Sequence, residues 1–193
     1  MDQEKLIQFF QATNLLGGPK AREIAAHFTL KHFKKGDFIQ RAGRVPDEYL
    51  YLEEGFIRAF AHDTQGNEVT TAIYSANQVV FEVSSFFNRT VSAENFQALS
   101  DCKTWTLTYN ELNMLFHSMP EFRDFGRHIL VTGFSALKAR MLSTITDTAE
   151  QRYEKLLKAR PEIFRQVPLK YIASYLGVTD TSLSRIRKES AKK

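Results

Sequence analysis

The residues of this chain whose types and spacing could do chemistry lie near its C-terminus. A helix is predicted from residue 180 to about residue 188, and its outward face carries short polar and basic side chains: Asp180, Thr181, Ser182, Ser184, Arg185 and Lys188. Such groups can reach the base edges and phosphates of DNA. We expect Arg185 to make a bidentate contact with guanine, and Asp180 and Thr181 to read a neighbouring base. The residues expected at phosphates are Ser174, Thr179, Arg187 and Lys188.

Two short helices and a tight turn position these side chains. Residues 168–176 predict the first helix, and Gly177 then permits a left-handed backbone. Val178 fills the corner, and Thr179 can cap the second helix. The inward residues are Leu169, Ile172, Ala173, Leu176, Leu183 and Ile186. This pattern is typical of a helix-turn-helix, whose second helix enters the DNA major groove.

The charge of the chain is divided unevenly along its length. Residues 151–193 carry 11 Lys and Arg against four Asp and Glu, whereas residues 1–150 carry 15 against 18. The whole chain has a net charge of +4, so the last 43 residues, at +7, are far more basic than the rest. This favours a C-terminal end that binds a polyanion, with a solvated basic tail as the alternative.

The part of the chain before this basic end is predicted to be rich in β-structure. Short segments of β-branched and aromatic residues recur at regular spacing, at residues 37–40, 48–53, 56–62, 67–74, 96–99 and 103–108. Such spacing favours an antiparallel sandwich or barrel over parallel strands with crossover helices. Residues 64–67 predict a hairpin turn between two of the strands.

A long helix is expected between the β-rich body and the basic end. Thr108 and Glu111 form a capping box for a first helix, and Pro120 can begin the long one. Its two apolar stripes are Phe122, Phe125, Ile129, Thr132 and Ala136, and Leu130, Phe134, Leu137 and Met141. One stripe is expected on the body and the other on a second chain, with packing of both inside one chain as the alternative. Asp147 and Glu150 predict the cap of the next helix.

Composition indicates a soluble globular protein with one large or two small domains. The 193 residues are 43% hydrophobic and 25% charged, and no apolar run approaches the roughly 20 residues that span a bilayer. The polar N-terminus predicts the absence of a signal peptide, hence a cytoplasmic protein. A lone Cys102 excludes an internal disulfide and a cysteine zinc site.

An enzyme is the weakest of the functional interpretations. Residues 133–137 begin like a nucleophile elbow but lack its final glycine and lie inside the predicted long helix. The histidines show no metal-binding spacing: His27, His32, His62, His117 and His128. A ligand-sensing module that acts through protein partners stays open as the main alternative to a DNA-binding protein.

Residues 172–187, Ile-Ala-x-x-Leu-Gly-Val-x-x-x-x-Leu-Ser-Arg-Ile-Arg, resemble the recognition motif of the cyclic AMP receptor protein / FNR (Crp/Fnr) family of bacterial transcription regulators. The stretches that resemble its cyclic-nucleotide-binding β-roll are residues 35–39, Gly43, residues 51–58 and residues 66–69. The resemblance implies an α+β fold: an N-terminal antiparallel β-roll of the jelly-roll type (1–118), a dimerisation helix (119–145) and a C-terminal helix-turn-helix domain (146–193). It also implies a homodimer that reads a near-palindromic operator in double-stranded DNA, with RNA polymerase as a further partner.

In that family a Gly-Glu-Leu motif and a later Arg-Ser/Thr-Ala motif hold the cyclic nucleotide. Glu82, Ser92 and Ala93 match these motifs, but Phe81 replaces the glycine and Val91 replaces the arginine that neutralises the phosphate. Burying a phosphate without a charge partner is costly. Cyclic AMP is therefore disfavoured, and either another small effector or none is expected.

The effector pocket that the resemblance implies has a defined lining: Phe81, Glu82, Val83, Arg89, Val91 and Ser92. In a strand, Arg89 would face the same side as Val91 and could replace the missing arginine, although a solvated loop arginine is the favoured interpretation. No cofactor is assigned, because the iron–sulfur branch of the family needs several cysteines and no haem ligands are found. Residues 160–168 are too short for the hairpin wing common in the family.

Overall fold

The computed structural model describes residues 3–190, and within them the strands of a β-roll follow two short helices. The strands are β1 (Thr29–Phe33), β2 (Phe38–Gln40), β3 (Glu48–Glu54), β4 (Ile57–His62), β5 (Glu68–Tyr74), β6 (Gln78–Val80), β7 (Asn95–Ala98) and β8 (Cys102–Thr108). They form two antiparallel four-stranded sheets, ordered β1-β8-β3-β6 and β2-β7-β4-β5. The six predicted strands are confirmed, whereas the sequence analysis missed β1 and β6.

Helices precede, interrupt and follow the β-roll. They are α1 (Glu4–Gln11), α2 (Gly18–Ala25), α3 (Val83–Asn88), α4 (Tyr109–Ser118), α5 (Pro120–Thr146), α6 (Ala149–Ala159), α7 (Ile163–Gln166), α8 (Leu169–Leu176) and α9 (Asp180–Ser190). None of the helices in residues 3–190 has the length and apolarity that crossing a membrane requires. The segment expected to be too short for a wing contains α7, and residues 147–190 contain no strand.

The predicted hairpin turn is confirmed between β4 and β5. The Asp63 carboxylate accepts hydrogen bonds from the backbone N–H groups of Gln65 (2.8 Å) and Asn67 (2.9 Å). Gly66 takes a left-handed conformation with φ of 84°, which glycine adopts without strain. The turn therefore depends on local contacts that the sequence already contains.

Two apolar cores stabilise the β-roll. Leu50, Ile57 and Phe96 are among the residues that fill the space between the sheets. An aromatic core lies outside the first sheet, where α1, α2, α4 and the start of α5 pack on it; its largest members include Phe10, Phe28, Trp105, Phe122 and Phe125. The aromatic core fixes the direction in which α5 leaves the β-roll.

The long helix α5 is buried only in its first part. Phe122 and Phe125 are fully buried, and Ile129 and Leu130 are half-buried. Every side chain from residue 131 to residue 139 is exposed, so Thr132 and Ala136 do not pack on the body as expected. Five of the exposed apolar residues form what we call the apolar stripe: Val131, Phe134, Leu137, Met141 and Ile145.

Capping boxes begin two of the C-terminal helices. The predicted box of Thr108 and Glu111 is confirmed at the start of α4. The cap of α6 lies one residue later than expected, because Thr148 and Gln151 form the box there instead of Asp147 and Glu150. The Asp147 carboxylate binds Lys155 (2.7 Å) and Ser143, and the hydrogen bond from Lys155 lowers the pKa of Asp147.

Candidate nucleic-acid interface

The turn between α8 and α9 has the geometry of a Schellman motif. Gly177 follows the helix in a left-handed conformation with φ of 68°. Its N–H donates to the carbonyl oxygen of Ser174 (3.0 Å), and the N–H of Val178 donates to that of Ala173 (3.0 Å). These bonds satisfy carbonyl groups in the last turn of α8, and the chain turns toward α9 there, as the sequence predicts.

Thr179 caps α9 and orients it. Its Oγ1 accepts a hydrogen bond from the backbone N–H of Ser182 (3.2 Å). Leu183 is buried and Ile186 is half-buried in the core that α6, α7 and α8 share with α9. The predicted inward residues of this helix are therefore confirmed.

The outward face of α9 presents most of the predicted DNA-binding residues together. They line one shallow depression on the surface: Asp180, Thr181, Ser184, Arg185 and Lys188. All five are exposed, as are Thr179 and Arg187, while Ser182 is half-buried. No ion pair joins Arg185, Arg187 or Lys188 to another residue in the described part of the chain. The helix thus presents uncompensated positive charge to the solvent.

Ser174 lies away from this face. Its hydroxyl oxygen accepts a hydrogen bond from the backbone N–H of Thr70 in β5 (2.8 Å). The residue is half-buried between α8 and the β-roll. Ser174 therefore contacts the β-roll and does not share the exposed face of α9 with the other predicted DNA-binding residues.

A buried arginine that was not predicted from the sequence joins the β-roll to α8. Arg58 in β4 is 2% exposed, and its guanidinium stacks between the rings of Phe60 (4.0 Å) and Tyr171 (3.8 Å). It also binds Glu68 Oε2 (2.7 Å) and Gln97 Oε1 (2.8 Å). These contacts position α8, and with it α9, against the second sheet. The only sequence signal for Arg58 is the alternation of side chains along β4, and this alternation does not show which element packs on the outer face of the strand.

The region expected to bind an effector is largely occupied by its own side chains. Phe81 packs in the aromatic core, with its ring 5.1 Å from Tyr49 and 5.4 Å from Phe86. The Glu82 carboxylate caps α3, accepting from the backbone N–H groups of Ser84 (3.0 Å) and Ser85 (2.7 Å). The carboxylate that would bind a ribose hydroxyl therefore binds backbone N–H groups at the start of α3 instead.

Arg89 is neither a replacement for the missing arginine nor a freely solvated side chain. It follows α3 in a left-handed conformation, so the expected strand-like alternation with Val91 is wrong. Its guanidinium donates to the Pro46 carbonyl (2.7 Å) and to Asp47 (2.8 Å) and stacks 4.2 Å from the ring of Tyr109. The arginine thus anchors the end of α3 to the two residues that precede β3.

The remaining residues of the expected pocket do not converge. Val83 and Val91 are exposed, whereas Ser92 is buried and exchanges hydrogen bonds with the backbone of Glu94. The six residues expected to line an effector pocket thus differ in their surroundings: Phe81 and Ser92 are buried, Glu82 is half-buried, and Val83, Arg89 and Val91 are exposed.

The lone cysteine is placed as a structural residue. Cys102 is buried, its thiol contacts the carbonyl oxygens of Phe56 (3.5 Å) and Ser100 (3.3 Å), and burial raises its pKa. A protonated, buried thiol is a poor nucleophile. Among residues 3–190, no group of three His, Cys, Asp or Glu side chains could hold a metal ion.

Comparisons with known proteins agree with this architecture. Residues 30–119 match the family profile of the cyclic nucleotide-binding domain. Over the whole length, the chain superposes on a Eubacterium rectale protein assigned as a Crp/Fnr-family transcriptional regulator (TM-score 0.68, 16% identity, 96% of this chain and 88% of that chain). The chain has the Crp/Fnr fold.

Two further solved structures are similar to this chain. FixK2 from Bradyrhizobium japonicum has a TM-score of 0.73 at 15% identity, covering 86% of this chain and 85% of that chain. The c-di-GMP responsive global regulator CLP from Xanthomonas campestris has a TM-score of 0.67 at 14% identity, covering 89% and 90%. No curated protein sequence matches this chain significantly. Within the Crp/Fnr fold, α8 and α9 stand at the C-terminal end, where the sequence places the helix-turn-helix.

Proposed function

We propose that this protein is a sequence-specific DNA-binding transcription regulator that acts as a homodimer in the cytoplasm. The outward face of α9 carries the proposal, since Arg185, Arg187 and Lys188 are exposed there without acidic partners in the described residues. Asp180, Thr181 and Ser184 surround them with groups that can read base edges. RNA polymerase is the partner on which such a regulator would act.

The apolar stripe of α5 supports the dimer. Its residues are 54–73% exposed in the single chain, and Phe134, Leu137 and Met141 recur at the three- and four-residue steps of a coiled-coil seam. Pairing with the same stripe of a second chain would remove these side chains from water. A two-fold dimer of this kind would place its α9 helices in half-sites about 34 Å apart on DNA.

Cyclic AMP is not proposed as the effector. Phe81 fills the space where the family has glycine, Glu82 caps α3, and Arg89 is held by Pro46 and Asp47. Val91, at the position of the phosphate-binding arginine, is exposed. In isothermal titration calorimetry we expect no binding of cyclic AMP at about 1 mM, a level that detects even weak complexes. Saturable binding would contradict this part of the proposal.

Selection of bound sequences from random duplex DNA, followed by fluorescence anisotropy, tests the main proposal. We expect a near-palindromic site, with affinity that falls steeply with added salt at a slope of about −0.9 per phosphate contacted. Absence of an enriched sequence at moderate salt would overturn the proposal. Absence of any salt-dependent DNA binding would favour the alternative, a sensing module that acts through protein partners.

A further inference from the structure

A second depression lies where α5, α6 and α8 meet, and we call it the junction depression. Its volume is about 230 Å³. Arg140 and Ser143 line it from α5, Arg152 and Lys155 from α6, and Tyr175 from α8. None of its lining residues is acidic. It is separate from the outward face of α9 and from the expected effector region in the β-roll.

The positive charge of the junction depression exceeds the negative charge around it. Arg140 and Arg152 donate to backbone carbonyl oxygens, including the last two of α8, and these oxygens carry no formal charge. Lys155 alone among the three cations pairs with a carboxylate, that of Asp147, in the described structure. The C-terminal end of α8 contributes about half a negative charge. About one to one and a half positive charges therefore remain without compensation.

We propose that the junction depression binds a small oxyanion, namely a phosphate or diphosphate group. Arg140 and Arg152 each donate two of their five N–H groups to backbone carbonyl oxygens, which leaves three on each guanidinium for charge-assisted hydrogen bonds to phosphate oxygens. The volume lies below the roughly 300 Å³ at which pockets for larger organic ligands begin. Charge and size together select a compact anion over a whole nucleotide.

Because of the position of the junction depression, a bound anion would affect how the helices around it pack. Its walls come from α5, α6 and α8, so a bound anion stabilises the arrangement of these three helices relative to one another. Ser143 lies on the face of α5 opposite to Phe134, nine residues and two and a half turns away, whereas Thr144, which also lines the depression, lies seven residues after Leu137 on the side of the apolar stripe.

Titration of the full-length protein with inorganic phosphate and with diphosphate tests the proposal without DNA. Calorimetry is carried out in a chloride buffer at constant ionic strength, on the wild-type protein, Lys155→Gln and Lys158→Gln. Lys155 lines the depression and, unlike the two arginines, donates to a side chain and to no backbone carbonyl in the described residues. Lys158 is an exposed residue of the same helix that does not line the depression. We expect saturable binding to the wild type, about tenfold weaker binding to Lys155→Gln, and less than a twofold change in Lys158→Gln.

Three outcomes would overturn the proposal. One is the absence of binding to the wild type at about 10 mM anion, a level that covers weak complexes. Another is an equal loss of affinity in both variants, which would show a diffuse electrostatic attraction. The third is seen by nuclear magnetic resonance: backbone amide shifts confined to α9, with none in α5, α6 and α8, would assign the anion to the proposed DNA-binding face.

Discussion

At the scale of single residues, the arginines of this chain differ in role because their surroundings differ. Arg58 is enclosed by two aromatic rings, and Arg89 is bound to a backbone carbonyl and a carboxylate. Arg185 and Arg187 are exposed on α9. A buried or anchored guanidinium stabilises structure, whereas an exposed and unpaired one is available to a partner.

The two arginines of α9 should differ in their effect on DNA recognition. Arg185→Ala is expected to cost about 1–3 kcal/mol and to relax specificity at one base pair, because Arg185 lies on the face proposed to read bases. Arg187→Ala, a matched loss of charge on the same helix, should weaken binding to all sequences evenly. Anisotropy with the selected site and its single-base variants measures both; unchanged sequence preference in Arg185→Ala would show that this arginine is not a reader.

Loss of the Arg58 guanidinium should loosen the contact between the β-roll and α8. Arg58→Met keeps an apolar side chain of similar length but removes the ion pair with Glu68 and the hydrogen bonds to Gln97, and we expect the unfolding free energy to fall by about 1–3 kcal/mol. Arg41 also stacks on a ring, that of Phe38, but it is exposed. Arg41→Met should change stability by less than about 0.5 kcal/mol in urea unfolding. Equal effects would contradict the role of Arg58.

At the scale of elements, caps and turns decide where the C-terminal helices begin and end. Thr148, Thr179 and Gly177 each satisfy backbone groups at a helix end. Such bonds span only a few residues, so their residue types determine the element locally. The same rule explains why Glu82, placed before two backbone N–H groups, starts α3.

Two glycines give a matched test of this local control. Gly177 requires a left-handed conformation, so Gly177→Ala is expected to lower stability by about 1 kcal/mol. Gly133 lies inside α5 with open space where a methyl group would go, so Gly133→Ala is expected to raise stability by about 0.5–1 kcal/mol. Thermal unfolding of both variants checks the opposite signs. A stabilising Gly177→Ala would contradict the turn geometry.

At the scale of the whole molecule, α5 carries apolar surface that a single chain leaves in water. The helix is buried among aromatic residues at its start and is exposed on all sides from residue 131 to residue 139. Large apolar side chains on one face of an otherwise exposed helix indicate an interface. The second chain of the proposed dimer would supply the missing contact.

Phe134→Glu should convert the dimer into a monomer without unfolding it. Phe134 is 68% exposed in the single chain, so the charge is tolerated there but is costly inside a paired seam. Ala136→Glu introduces the same charge on the opposite face of α5 and should leave the dimer intact. Size-exclusion chromatography with light scattering gives the mass of each. A monomeric wild-type protein, or two variants of equal mass, would contradict the dimer.

The sequence by itself determined the elements whose bonds are local. The turn between α8 and α9, the hairpin after β4, the capping box of α4 and the start of α5 at a proline follow from residues within about five positions of one another. The short strands β1 and β6 were missed because their pairing partners, β8 and β3, are distant in the chain. The outward face of α9 follows from helical spacing alone.

Only the tertiary structure decided which side chains are free. Ser174 is half-buried against Thr70, and Arg58 is buried against Tyr171, because α8 packs on the second sheet. The junction depression likewise exists only where α5, α6 and α8 meet. Spacing along the chain sets the face on which a side chain lies, but what covers that face depends on contacts between distant segments.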